Sequence, residues 1–189
     1  GPIVPLIAET GGLNAMIVDA TALAEQVTDD VVASAFRSAG QRCSALRLLY
    51  VQADVADAMI EMIACAAAEL TLGKTPAGPG TFVAPTIIKL DRSTDLKEEI
   101  FGPVLHVVTY KAGALASVVD QIEATGYGLT LGVHSRIDAT IDYVRERVTV
   151  GNVYINRNVI GAVVGVQPFG GSGLSGTGPK AGGPDYLAR

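Results

Sequence analysis

Charge is scarce in this chain. Of its 189 residues only 17% are Asp, Glu, Lys or Arg, against 49% hydrophobic residues, and the mean hydropathy is +0.36. The net charge is −5, which argues against a partner with a phosphate backbone or an anionic membrane surface, since both call for a basic surplus. No nucleic-acid partner is expected. Cysteine is equally sparse: Cys43 and Cys65 can build neither a disulfide framework nor a cysteine-type zinc site. No metal is expected, and free thiols fit a reducing compartment. Long apolar runs are missing too. Asp, Arg, Glu, Lys or Gly interrupts every stretch before the roughly 18 residues that a membrane helix needs, so no transmembrane segment is expected. The apolar surplus is then expected to meet another protein surface. Gly1 to Ala8 has no initiating Met and no basic region of a signal peptide. With an end at Arg189 straight after the apolar Tyr186–Leu187, the expectation is a piece of a longer polypeptide.

The chain has the length of one domain at about 150 residues each. That is enough to bury about 70% of the unfolded surface. Apolar, β-branched runs alternate with helical patterns. Strands are expected at Ile3–Ala8, Ala15–Val18, Ala45–Val51, Phe82–Leu90, Val104–Tyr110, Leu129–Val133 and Val153–Asn156. Pro85 demotes the Phe82–Leu90 run to an edge. Helices are expected at Glu25–Ser38, stopped by Gly40, at a segment capped by Asp54 and running to Leu70, at Leu115–Ala124 and at Asp138–Val148, with a short turn over Asp95–Ile100 capped by Ser93. Strands spaced by helices of this length predict an α/β fold: a three-layer sandwich with a mainly parallel central sheet and helices on both faces. Two stretches break the rhythm, Gly73–Gly80 and the glycine-rich Gly161–Gly183.

Several residues are candidates for chemistry. Cys43, in Gly40-Gln41-Arg42-Cys43-Ser44, falls between a helix and a strand beside a cation. Such a junction can expose a thiol and lower its pKa from about 8.5, against the alternative of a small buried hydrophobe. Cys65, inside an alanine-rich helix, reads as core. Glu9 ends an apolar run before Thr10-Gly11-Gly12, a place suited to a general base and equally to an ordinary strand-end charge. Glu98 and Glu99 are adjacent, so they do not share a face; one is expected to point inward and one outward. His106 and His134 lie in strands with no ligand partner nearby and read as structural. Gly171-x-Gly173-x-x-Gly176 matches a dinucleotide fingerprint in letters alone. Pro168 interrupts the approach, and no acid follows about 20 residues on. A glycine loop presenting backbone N–H groups to an anion is the more modest reading.

Taken in order, Glu9-Thr10-Gly11-Gly12, Gly40-Gln41-Arg42-Cys43, Glu99-Ile100-Phe101-Gly102-Pro103 and Pro168-Phe169-Gly170-Gly171 with Ser175-Gly176 resemble the catalytic half of the aldehyde dehydrogenase superfamily, across essentially the whole chain. Arg42–Arg47, Gly126–His134, Gly151–Asn158 and Gly176–Pro184 narrow this. They look like the L-glutamate γ-semialdehyde (pyrroline-5-carboxylate) dehydrogenase module, in the form fused to proline dehydrogenase in bacterial bifunctional proline utilisation flavoenzymes.

The resemblance implies roles. Cys43 is the implied nucleophile and Glu9 the implied base for hydrolysis of the thioester. NAD is the implied cofactor, with Glu99 on the nicotinamide ribose and Phe101, Thr10 and Gly11 beside it. Ser44 and the backbone N–H groups of Gly161 and Ala162 are the implied anchor of the substrate α-carboxylate, and Phe169 the implied wall against its aliphatic part. FAD is implied only if a proline dehydrogenase domain is fused. The resemblance further implies a bacterial, cytoplasmic homo-oligomer acting on L-glutamate γ-semialdehyde.

Against the family pattern, residues 1–189 correspond to the cysteine-bearing catalytic domain alone. The Rossmann domain that holds most of NAD is absent, as are its oxyanion asparagine and a C-terminal tail. Gly73–Gly80 stands where the family has a further helix-bearing segment. The alternative reading is a non-catalytic or engineered minimal module of this fold, inactive as an isolated chain. A cysteine hydrolase is a weaker third, because neither His belongs to a motif that would set it beside Cys43.

Overall fold

A computed structural model describes residue 4 and residues 6–70 and 82–187. The expectation about Gly73–Gly80 lies outside these residues. In chain order the elements are β1 (Asn14–Val18), α1 (Ala24–Phe36), β2 (Leu46–Gln52), α2 (Ala53–Ala68), β3 (Thr86–Leu90), β4 (Val104–Tyr110), α3 (Leu115–Glu123), β5 (Tyr127–Gly128), β6 (Thr130–His134), α4 (Asp138–Arg145), β7 (Asn152–Ile155) and β8 (Ser172–Gly173). Six strands form one parallel sheet in the order β3-β4-β2-β1-β6-β7. The central strands β1, β2 and β6 are nearly continuous apolar runs, as strands covered on both faces must be.

Alternate residues of each strand supply two cores. Met16, Val18, Leu49, Val51 and Val107 pack under Val27, Val31 and Ala35 of α1 and Met59 and Ile63 of α2. Ile17, Tyr50, Val108 and Val133 pack under Val118 and Ile122 of α3 and Val144 of α4. This is the expected α/β sandwich. The chain runs outward from β1 to β3, then returns to the other side of β1, so the sheet switches direction between β1 and β6. In such sheets the crevice beyond the carboxyl ends of the switching strands is the usual ligand site. Here it is filled by the protein's own polar groups. Asp19 accepts from Thr21 N–H (2.8 Å) and from the Thr21 and Ser135 hydroxyls. Ser135 and Asn156 exchange two bonds of 3.0 Å.

Departures from expectation are local. Helix α1 ends at Phe36 rather than Ser38, because Arg37 turns to an extended ψ of 143° and Ser38 and Ala39 then take φ of 55°. Asp54 is not a cap. It lies in the first turn of α2, and the capping position is Gln52, whose amide donates to the Asp54 carboxylate at 2.8 Å. Ser93 does not cap either: its hydroxyl donates to Gln121 Oε1 (2.7 Å), and the helical turn spans Ser93–Asp95. The Phe82–Leu90 run is a strand only from Thr86, at the sheet edge as Pro85 requires. Leu6 to Ala8 is not a strand; Ala8 pairs instead with Thr177. Cys65 is exposed rather than core. It follows the buried Ile63 by two positions, which on a helix of 3.6 residues per turn puts it on the opposite side.

His106 and His134 are both buried, as a structural role demands. Burial holds both below the ordinary imidazole range. A contact with the Arg47 carbonyl opposes this at His106, as does Asp30, 3.6 Å away, at His134. The unfolded chain then takes up protons near pH 6.5 that the native chain does not, so stability present above that pH is lost as pH falls below it. The urea midpoint is expected to be lower at pH 5.5 than at pH 7.5, and the difference to shrink in His134→Gln. An unchanged difference in that variant would count against this cause.

Candidate active site

Parallel neighbours begin at the same edge, so the segments leading into β1, β2 and β4 meet there. Cys43 lies in the turn before β2, closed by Ala45 N–H donating to the Arg42 carbonyl (3.0 Å), and is half-buried. Asn14, the first residue of β1, fixes this turn. Its amide donates to the carbonyls of Cys43 (2.7 Å) and Ala45 (2.9 Å) and accepts from Thr130 N–H (3.1 Å). Glu9 bridges to Gly176, and Thr10 is tied by its N–H to Ser175 (3.2 Å) and by its hydroxyl to Leu174. The glycine-rich stretch thus straps the segment that carries Glu9.

Glu98 is exposed and Glu99 turns inward. Glu99 Oε2 accepts from Gly12 N–H (3.1 Å), while its Oε1 is buried with no hydrogen-bond partner. Gly11 has φ of +127°, and a Cβ there would overlap the Glu99 carboxylate, so only glycine serves. Phe101 follows, half exposed. An orphaned carboxylate oxygen beside an open aromatic ring is an acceptor for a hydroxyl group, and this set fits the ribose of a nucleotide.

The electrostatics at Cys43 differ from expectation. Arg42 does not depress the thiol pKa: its guanidinium turns back to donate to the Ser38 hydroxyl (3.0 Å). Burial pushes the Cys43 thiol up, and Glu9 and Glu99 add to this, against the opposing backbone N–H groups of Ser44 and Cys43. Both carboxylates therefore lie within electrostatic reach of the sulfur.

Ser44, Ala162 and Phe169 line an open cavity of about 370 Å3 with Arg42, Ile160 and Gln167. Gly161 stands outside this lining, and its carbonyl accepts from Arg157 (3.2 Å). The structure thus gathers Cys43, Glu9, Thr10, Gly11 and Glu99 at one edge, and Ser44, Ala162 and Phe169 in one cavity. Sequence reasoning missed Asn14 and gave Arg47 no role. The signal was there: Asn14 opens one buried apolar run and Arg47 interrupts another.

The sequence profile of the aldehyde dehydrogenase family matches residues 1–79 and 73–189. The chain belongs to the aldehyde dehydrogenase family. It is 52% identical to the bifunctional protein PutA of Escherichia coli K12, over 234 residues that take in all of this chain and 18% of that one. It is 38% identical to the 1-pyrroline-5-carboxylate dehydrogenase of Bacillus cytotoxicus, over 97% of this chain and 43% of that one. A crystal structure of bifunctional proline utilization A matches with a TM-score of 0.95 at 60% identity, covering 100% of this chain and 23% of that one. A Thermus 1-pyrroline-5-carboxylate dehydrogenase with bound NAD matches with a TM-score of 0.86 at 35% identity, covering 96% and 42%. This aldehyde dehydrogenase chain thus spans about a fifth of its PutA relatives and under half of the dehydrogenases. The 234-residue alignment is longer than the chain, and the two profile matches meet at 73–79, where the relatives carry residues that this chain lacks. No helix among the described residues is long and apolar enough to cross a membrane.

The charges around Cys43 make a measurable expectation. With Cys65→Ser as background, the rate of Cys43 alkylation by iodoacetamide should rise with pH to a midpoint above about 8.5. Neutralising a neighbouring carboxylate favours the thiolate, so Glu9→Gln should lower that midpoint. A midpoint unmoved by Glu9→Gln would remove Glu9 from the sulfur's surroundings.

Proposed function

We propose that this chain is the nucleophile-bearing domain of an NAD-dependent dehydrogenase that oxidises L-glutamate γ-semialdehyde to L-glutamate. The observation that carries this is the meeting of Cys43 with Glu9 and Glu99 at one sheet edge, in a chain whose relatives include 1-pyrroline-5-carboxylate dehydrogenases.

Cys43 Sγ, as thiolate, adds to the aldehyde carbon, and the carbonyl electron pair moves to oxygen to give a hemithioacetal. The Cys43 backbone N–H faces that oxygen. NAD+, when bound, supplies the two-electron acceptor that makes the hemithioacetal a thioester. Glu99 and Phe101, with Thr10 and Gly11 behind them, hold its ribose. Glu9 takes a proton from water, the water oxygen adds to the thioester carbon, and the C–S bond breaks to return the Cys43 thiolate. The substrate carboxylate sits in the cavity lined by Ser44, held by the Ser44 hydroxyl and the Ala162 N–H, with Phe169 along the chain of methylenes and Arg42 supplying positive charge; Gly161, outside that lining, contributes at most through the loop it shares with Ala162. The rest of the nucleotide site, and a second oxyanion donor, belong to a Rossmann domain packed on this edge. The exposed Leu6, Phe101 and Leu174 there support such a contact. The intact protein is bacterial and cytoplasmic, forms homo-oligomers, and uses FAD only where a proline dehydrogenase domain accompanies it.

Rapid mixing of the intact protein tests the division of labour. Cys43→Ala should abolish both aldehyde oxidation and covalent labelling. Glu9→Ala should keep a single-turnover burst of NADH while steady turnover falls by about 10²–10⁴, the usual cost of a lost general base. A Glu9→Ala protein with no burst and no acyl-enzyme would mean that Glu9 acts before hydrolysis. Ser44→Ala should raise KM for the amino-acid aldehyde more than for propanal; equal effects would remove Ser44 from the carboxylate site.

A further inference from the structure

Arg47 is the least expected residue in the sheet. It is fully buried in β2, among Leu46, Leu48, Leu49 and Tyr50. The strand is irregular here. Asn14 pairs with Leu46 but Ala15 pairs with Leu48, so Arg47 is the extra residue of a bulge. The irregularity shows in the packing: Leu46 and Leu48, two residues apart, go to opposite cores, where a regular strand would send them to the same one. The bulge re-aims the Arg47 side chain toward the amino edge.

There the guanidinium spans two segments. Its Nη2 donates to the carbonyl of Gly40 (2.7 Å), with Arg42 O at 3.4 Å, both in the segment before Cys43. Its Nη1 donates to the carbonyl of Gly102 (2.8 Å), in the turn that carries Glu99 and Phe101. Nη2 lies 3.6 Å from the orphaned Glu99 Oε1, and the Phe101 ring stands 5.4 Å from the guanidinium carbon. The two backbones touch: Gly40 has φ of +62°, and a Cβ on it would fall on the Gly102 carbonyl. The two segments present their carbonyls, Gly40 O and Gly102 O, to different nitrogens of one guanidinium. A planar fork spans both, whereas an ammonium point charge covers one at a time.

We propose that Arg47 is a positioning residue that locks the Cys43 turn to the Glu99–Phe101 turn, so that nucleophile and cofactor-ribose groups are placed as one unit. This deepens the functional reading above and rests on it for the meaning of Glu99. Removing the fork should move both turns together. In the intact protein carrying Cys65→Ser, Arg47→Lys is expected to weaken NAD+ binding about tenfold, one 1.4 kcal/mol step, and to change the Cys43 alkylation rate at fixed pH by a similar factor. Arg47→Gln, which leaves no buried cation to accommodate, provides a second fold-compatible variant with the same two readouts. A role confined to stability predicts something else: a lower Tm with NAD+ affinity and alkylation rate at wild-type values, and that result overturns the proposal. So does a change in only one of the two. If wild-type protein neither binds NAD+ nor oxidises the aldehyde, it is the functional reading that fails. The alkylation rate then decides alone, and a wild-type rate in both variants overturns the lock.

Discussion

The arrangement at the site depends on one constraint, the parallel pairing of β1 with β2. Antiparallel neighbours would put their lead-in segments at opposite edges of the sheet. Parallel ones put Glu9–Leu13 and Gly40–Ala45 side by side. The pairing of β2 with β4 then adds the Glu99–Pro103 turn to the same edge. No long-range recognition among the functional side chains is needed. The apolar faces of the strands, buried against α1 and α2 on one side and α3 and α4 on the other, fix the register, and a slip of one residue would exchange the two cores.

A pre-formed edge of this kind brings like charges together, and the structure shows how they are accommodated. Two carboxylates near a thiol disfavour its ionised form. Glu9 remains in solvent, which screens it. Glu99 is drawn inward to Gly12 N–H and toward the buried Arg47. At 3.6 Å that last contact is too long for a hydrogen bond, so one carboxylate oxygen stays without a partner. Ser38 and Ala39 hold positive φ just before Cys43, a conformation costing on the order of 1 kcal/mol or more each outside glycine. Strain of that kind persists where surrounding contacts over-determine the loop, and Asn14 and Arg47 supply those contacts.

Periodicity made the sheet and its helices legible in the sequence, because α1 to α4 and the strands β1, β2, β4 and β6 are driven by burial, which the apolar pattern reports directly, whereas the edge strand β3 is largely exposed. The failures share a cause. Asp54 and Ser93 have the side chains of caps, but Gln52 and Gln121, 2 and 28 residues away in sequence, take their hydrogen bonds. The tiny β5–β8 pair, Tyr127 with Gly173 and Gly128 with Ser172, and the strap from Ala8 to Thr177, 169 residues apart, join residues distant in sequence, separations that no local window spans. Of the site, Cys43, Glu9 and Glu99 were legible through motif order. Asn14 and Arg47 stand out as polar residues in apolar runs, but what they hold was not legible, since most of their partners are backbone groups, which leave no trace in a sequence.

The position of the site also follows from what fills the opposite edge. A doubly wound sheet offers a crevice where β1 and β6 diverge, and its carboxyl side is ordinarily the receptive one. In this chain Asp19, Thr21, Ser135 and Asn156 close that side by bonding one another. Every such bond spends a donor or acceptor that a ligand would otherwise use. The amino edge does the reverse. Its glycines, Gly11 and Gly40, bring backbone against carboxylate and backbone against backbone without side chains between, and its one buried cation is already divided between two carbonyls. Among the described residues, Glu99 Oε1 and Arg47 Nε are left there without a hydrogen-bond partner, with the half-buried Cys43 thiol near the carboxylate. The carboxyl edge is thus closed by bonds within the protein, whereas the amino edge keeps a carboxylate oxygen and a guanidinium N–H without partners beside Cys43.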